Sequence, residues 1–194
     1  MTNTLHGLAE LVLAGPQYRT SGTIRLRITD DGFATVAAPD LRVTAGALYA
    51  GDRRIDLAGR TIGEVAAEAG VEPGAPEGLY HDGSGAAAGD AIGLDGAEGI
   101  LAAFTAGDRA LRAFEPGATP VLWPEHFDVG ISIDEVNYGI SAGDSAIGEP
   151  YAYVGPWKPR TGDFWNMPFG AARPVREVAD LLAFFREGRR RAAS

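Results

Sequence analysis

From His126 to Asp134 apolar and polar residues alternate without a break, with Phe127, Val129, Ile131 and Ile133 on one side and His126, Asp128, Gly130, Ser132 and Asp134 on the other. A period of two belongs to a strand with one buried and one open face, and no helix can use it. Val136, Tyr138 and Ile140 carry the apolar set onward after Asp134-Glu135. A two-residue loop there would place Gly130 opposite Gly139 and Asp128 opposite Ser141. Asp-Glu is not the favoured dipeptide for such a loop, and another loop length would change the register. Paired glycines leave a floor without side chains, where a ligand or another backbone can approach. His126, Asp128, Ser132 and Asn137 would flank it.

Hairpin patterns recur earlier in the chain. Ile24, Leu26 and Ile28 alternate with Arg25 and Arg27, Asp31-Gly32 supplies a turn, and Phe33 to Ala38 returns. Leu41 to Val43, Ala47 to Ala50 and Arg54 to Leu57 are further short strand candidates, and an antiparallel meander using four of these five segments is expected. Leu5, Leu8 and Val12 share a helical face that Gly15-Pro16 should end. Thr61 with Glu64 forms a capping box before Val65 to Ala69, and Gly70 closes that helix. Asp95 and Glu98 open a longer helix carrying Ile100, Phe104, Leu111 and Phe114, stopped by Glu115-Pro116-Gly117 and weakened by Gly107. A last helix is expected from Arg173-Pro174, burying Val175, Val178, Leu182 and Phe185, with Arg186, Arg189, Arg190 and Arg191 as a basic tail. Between them, Glu72 to Gly96 is rich in glycine, alanine, proline and acid, which reads as a mobile loop, a lid or a linker.

Clustered hairpins without regular strand-helix alternation point to an α+β domain, a mostly antiparallel sheet packed by three or four helices. The 194 residues suffice for one such domain, 1–194. Two lobes, 1–95 and 96–194, joined by the 72–96 segment, are the alternative. A formal charge of −9 repels phosphate backbones and anionic headgroups, so neither nucleic acid nor a membrane surface is an expected partner. The absence of cysteine removes disulfides, thiolate nucleophiles and Cys-ligated metals. Leu8 to Ala14 fits neither a signal peptide nor a membrane span, which makes the cytoplasm the expected location.

Chemistry concentrates between residues 121 and 170. All three tryptophans lie here, with nine of the 17 aromatic residues and seven acids against two bases. Aromatic faces beside carboxylates suit sugars, cations and polar heterocycles. A third strand would carry Glu149, Tyr151 and Tyr153 on one face, beginning late or lying at an edge because of Pro150. If that face matches the hairpin's polar face, His126, Asp128 and Glu149 meet in one pocket as candidate catalytic residues. Trp123, Ser132, Asn137, Tyr151, Tyr153 and Trp157 are the candidate ligand contacts.

The runs LWPEHFDVGISI (Leu122 to Ile133), NYGIS (Asn137 to Ser141), GDSAI (Gly143 to Ile147) and EPYAYVGPW (Glu149 to Trp157) resemble, in this order, a family of uncharacterised bacterial proteins. The resemblance implies no activity. It favours a pocket involving His126, Asp128 and Glu149.

Several chemistries compete for these residues. His126-x-Asp128 could begin a facial-triad metal site, but the second histidine would have to be His81 or His6. Gly83-Ser84-Gly85 lacks the spacing and setting of a hydrolase elbow. Asp128 with Glu149 could form a glycosidase pair, and Gly83-x-Gly85-x-x-x-Gly89 is a poor dinucleotide fingerprint. No motif names a cofactor. The leading expectation is a small-molecule-binding protein, with general acid-base chemistry at His126 under Asp128 or Glu149 as its enzymatic form. The alternatives are an interaction or homodimer surface made by the aromatic segment, including Trp157, Phe164, Trp165 and Phe169, and a metal-dependent enzyme with His126 and Asp128 as ligands.

Overall fold

The computed structural model describes residues 4–80 and 82–193; His81, one of the histidines considered for a metal site, lies outside them. The fold is α+β with an antiparallel sheet: among the described residues the strands between Leu26 and Asp56, and Val121–Trp123 beside them, pair antiparallel, and so do the strands between Asp128 and Pro174. The chain forms two compact units, Met1–Leu101 with Leu122–Phe127, and Ala102–Val121 with Asp128–Ser194. No helix among the described residues is long and apolar enough to cross a membrane.

The first unit opens with α1 (Thr4–Gly7), a π-helical segment over Leu8–Ala14, and α2 (Gly15–Ser21). The expected stop at Gly15-Pro16 is not where this helix ends. In the wider π turn the Gly15 N–H reaches back to the Glu10 carbonyl, and Pro16 then falls in the first turn of α2, where a missing N–H is tolerated. Gly22, at φ 71°, is the true end. Gly15 has a second role, since a Cβ there would collide with the Gly74 carbonyl.

Leu8, Ala9, Val12 and Leu13 of the π segment are buried against a meander of β1 (Leu26–Ile28), β2 (Gly32–Thr35), β3 (Leu41–Thr44), β4 (Ala47–Ala50) and β5 (Arg53–Asp56). The meander thus has five strands, one more than expected. Leu122 of β6 (Val121–Trp123) pairs with Leu26 on its far side. Gln17 joins helix to sheet. Its buried amide donates to Thr23 O and Arg25 O, each at 2.9 Å, and accepts from the Val36 and Ala37 N–H groups at 2.7 and 2.9 Å. The capping box of α3 (Ile62–Ala69) forms as expected, with Gly70 as its cap.

The described residues of the Glu72 to Gly96 segment form a strap within the first unit, where a mobile loop, a lid or a linker was expected. Gly74 N–H bonds to Leu11 O at 2.9 Å, the Ser84 N–H and hydroxyl both donate to the buried Glu10 carboxylate, and Gly93 N–H donates to Thr4 Oγ1 at 3.1 Å.

The second unit holds most of α4 (Ala97–Phe114) and the strands β7 (Asp128–Ile133), β8 (Val136–Ser141), β9 (Tyr151–Pro156) and β10 (Ala171–Pro174), in the order β10-β9-β8-β7. The last helix does not start at Arg173-Pro174. Those residues close β10, because the fixed φ and missing N–H of proline suit an edge strand as well as a helix start. α5 (Leu181–Ala192) begins seven residues after Pro174, capped by the Asp180 carboxylate on Ala183 N–H at 3.0 Å. It buries Phe185, whereas Val175 and Val178 lie before it.

Helices cover the Val129, Ile131, Tyr138, Ile140 and Val154 face of this sheet. The Phe114 and Phe185 rings lie 4.8 and 6.2 Å from that of Tyr138, and Gly107 and Gly188 bring α4 and α5 against Ile140 and Val154. The other face carries Asp128, Gly130, Ser132, Asn137, Gly139, Ser141, Tyr151 and Tyr153.

Candidate functional site

The expected hairpin register is realised, with Gly130 opposite Gly139 and Asp128 opposite Ser141. Both loop residues take left-handed backbone, Asp134 at φ 53° and Glu135 at φ 61°, as a two-residue turn with strand-matched twist requires. Contacts outside the loop compensate for the unfavoured dipeptide. The Asp134 carboxylate accepts from Arg189 at 2.8 Å, that of Glu135 sits 3.2 Å from Lys158 Nζ, and the Glu135 carbonyl accepts from Trp157 N–H at 2.9 Å.

The glycine floor is occupied. Gly139 pairs with Tyr153 of β9, whose ring crosses the floor and whose hydroxyl donates to Asp128 Oδ2. A Cβ at Gly130 would come within 2.9 Å of that hydroxyl, and one at Gly139 would come closer still. The two glycines make room for the chain's own tyrosine. Burial and the adjacent Asp128 charge push the Tyr153 phenol well above its ordinary pKa, so it remains a donor at neutral pH.

A second phenol repeats the arrangement. The Tyr151 hydroxyl donates to Asp144 Oδ2 at 2.6 Å, and burial with that bond pushes its pKa up to about 12. Burial alone would raise the Asp144 pKa, but the Tyr151 hydroxyl and the N–H groups of Ile147 and Ala146 hold it below the ordinary value. Phe169 stacks on Tyr151 at 6.5 Å and is itself exposed. At the other end of the face, Trp157 is 64% exposed but not loose. Its Nε1–H donates to Asn137 Oδ1 at 3.2 Å, and the Ser132 hydroxyl donates to the same oxygen at 2.7 Å.

Ser132, Asn137, Tyr151, Tyr153 and Trp157 therefore share one sheet face with Asp128. Glu149 has a separate partner: both of its carboxylate oxygens accept from Arg176, at 2.7 and 2.9 Å, which holds its pKa below the ordinary range. His126 and Trp123 belong to the first unit. His126 is not a strand residue, because Phe127 at φ 49° turns the chain before β7 and breaks the alternation read from the sequence. Its exposed ring lies with Nε2 3.8 Å from Glu125 Oε1. Trp123 carries the Arg25 guanidinium over its ring at 5.8 Å.

The Phe127 turn is itself held by His6, which stacks on Phe127 at 5.2 Å and donates from Nε2 to Pro124 O at 2.7 Å. Burial lowers the pKa of His6, consistent with a neutral ring. Asp144 and Arg176 are contributors that the sequence did not single out, and Phe169 was expected only in an interaction surface. The Gly143-Asp144 turn was a signal for the first, since an aspartate there accepts from N–H groups two and three residues on. No group of three or more His, Asp or Glu side chains that could hold a metal ion occurs among the described residues.

No protein-family model matches the chain, and comparison with curated proteins and with solved structures returns no match.

Proposed function

We propose that the chain is a cytoplasmic small-molecule-binding protein whose working surface is the Trp157 end of the aromatic sheet face, and that it belongs with the uncharacterised bacterial proteins whose motif order it shares. The observation that carries the reading is the fixed, exposed indole of Trp157. An aromatic ring held by Asn137 and left open to solvent is a preorganised platform, and ordering it on binding costs little. Its neighbours are polar and acidic: Asn137 Nδ2, Ser132, and the Glu135 carboxylate beside Lys158. That chemistry suits a sugar-like ligand, with C–H bonds on the ring face and hydroxyls toward the amide and acid. Catalysis is not part of the proposal, because the Tyr153 hydroxyl occupies Asp128 and Arg176 occupies Glu149.

Calorimetric titration with a panel of mono- and disaccharides, amines and nucleotides tests it. Saturable binding of one saccharide class, lost in Trp157→Ala with an unchanged melting temperature, is the expected result. The exposed Phe169 on the same face supports a second reading, a homodimer surface. Binding by no member of the panel, together with a concentration-dependent dimer that Trp157→Ala dissociates in sedimentation, would replace the first reading by the second.

A further inference from the structure

A different feature lies along α5. Ala183, Arg186, Glu187, Arg190 and Ala193 recur at spacings of three and four, so they form one stripe running down the helix and just past its end. With Phe114 and Arg189 this stripe lines an open groove of about 800 Å³. That volume falls in the range of sites that take small organic ligands. Its surface is mainly apolar; the lining offers the methyl groups of Ala183 and Ala193, the methylene stems of the arginines and the small exposed part of the Phe114 ring.

Most of the charges here are already matched. Arg189 lies between Glu115 at 3.2 Å and Asp134 at 2.8 Å, with its guanidinium 5.7 Å from the Phe114 ring centre. Glu187 is paired with Arg191 at 2.7 Å. Arg186 and Arg190, one turn apart and both exposed, have neither an ion pair nor a hydrogen bond among the described residues. Two unmatched guanidinium groups flank an apolar groove on a chain whose net charge is −9. A guanidinium fork fits a carboxylate with two parallel hydrogen bonds, and a pair of them selects an anion over a neutral head group.

We propose that this groove binds a soluble amphiphilic carboxylate, a medium-chain acid whose head group lies between Arg186 and Arg190 and whose apolar body rests on Phe114 and Ala183. The site is independent of the aromatic face.

The test is calorimetric titration of the full chain with sodium decanoate below its micelle onset, beside decanol as the neutral control. The expected result is saturable, one-to-one binding of decanoate, with decanol about tenfold weaker or more. Arg186→Gln combined with Arg190→Gln should weaken decanoate about tenfold or more and leave the unliganded melting temperature unchanged, since neither side chain holds the fold together. Should the double variant not fold, Arg186→Gln and Arg190→Gln singly give the same reading, each weakening decanoate about threefold. Equal binding of decanol, unchanged binding in the variants, or no saturable heat would each overturn the proposal.

Discussion

Tyr153 shows why a residue's role depends on its strand partner as much as on its own neighbours. Its hydroxyl serves Asp128, 25 positions away, and its ring needs the space that Gly130 and Gly139 leave. Tyr153→Phe keeps the ring and deprives the half-buried Asp128 carboxylate of a donor, so it should destabilise by about 1–3 kcal/mol in urea unfolding. Gly139→Ala would put a methyl group against the phenol and the Val129 carbonyl, and should cost about 1–3 kcal/mol by overpacking. Part of that cost is relieved in a Tyr153→Ala background, where only the carbonyl clash persists. Strictly additive effects of Gly139→Ala and Tyr153→Ala would show that the ring does not lie over the glycines. The glycine pairing was legible from the alternation together with a two-residue loop at Asp134-Glu135, because alternation assigns the faces and loop length sets the register. What fills the floor was not legible, because it comes from β9, whose pairing no local pattern specifies.

At the level of elements, Gly107 sets a preference for helix against a requirement for close packing. Alanine favours a helix interior over glycine by up to about 1 kcal/mol. Here the added methyl would meet Ile140 of β8 well inside contact distance, an overpacking worth about 1–3 kcal/mol. Packing wins, so Gly107→Ala should lower stability, and Ile140→Ala, which removes the clashing Cγ1, should relieve the overpacking part of the loss in the double variant. A more stable Gly107→Ala protein in chemical unfolding would mean that α4 and β8 are farther apart. Thr61→Ala removes the hydroxyl half of the α3 capping box, leaves the residue-61 N–H on the Glu64 carboxylate, and should cost about 1 kcal/mol in the same assay. That box was readable because its bonds span three residues. The two proline signals misled for a common reason. Proline fixes φ and removes a donor, and the same property suits the first turn of α2 after a π segment and the edge strand β10. Sequence proximity could not separate these uses, since Gly74 and the β9 backbone decide them.

For the whole molecule, the charge of −9 was legible at once, but the effect of acid depends on where individual protons bind. Burial of the His6 ring lowers its pKa from an ordinary 6.5. As the pH falls through that value the unfolded chain takes up a proton that the folded chain refuses, so stability declines from about pH 6.5 downward. Four carboxylates spread over both units then act in the same direction. Asp31 is held below its ordinary 3.8 by Arg42, Glu64 below 4.5 by the Thr61 N–H and hydroxyl, and Glu149 below 4.5 by Arg176. Asp144 lies below 3.8 because its three hydrogen bonds outweigh its burial. Each is a depressed acid whose stabilisation is complete above its unfolded pKa and is lost as the pH falls through the folded one. The opposing effect, relief of repulsion within an acidic chain, acts over distances that salt at 0.15 M screens beyond about 8 Å. Direct hydrogen bonds and burial should therefore dominate. Urea midpoints measured from pH 8 to pH 3 should be level above about pH 7, fall first near pH 6.5 and again below about pH 4.5. His6→Gln should remove the first step and Asp144→Asn should shrink the second. Midpoints that rise on acidification would show that the net charge, and not these placed groups, governs the response to acid.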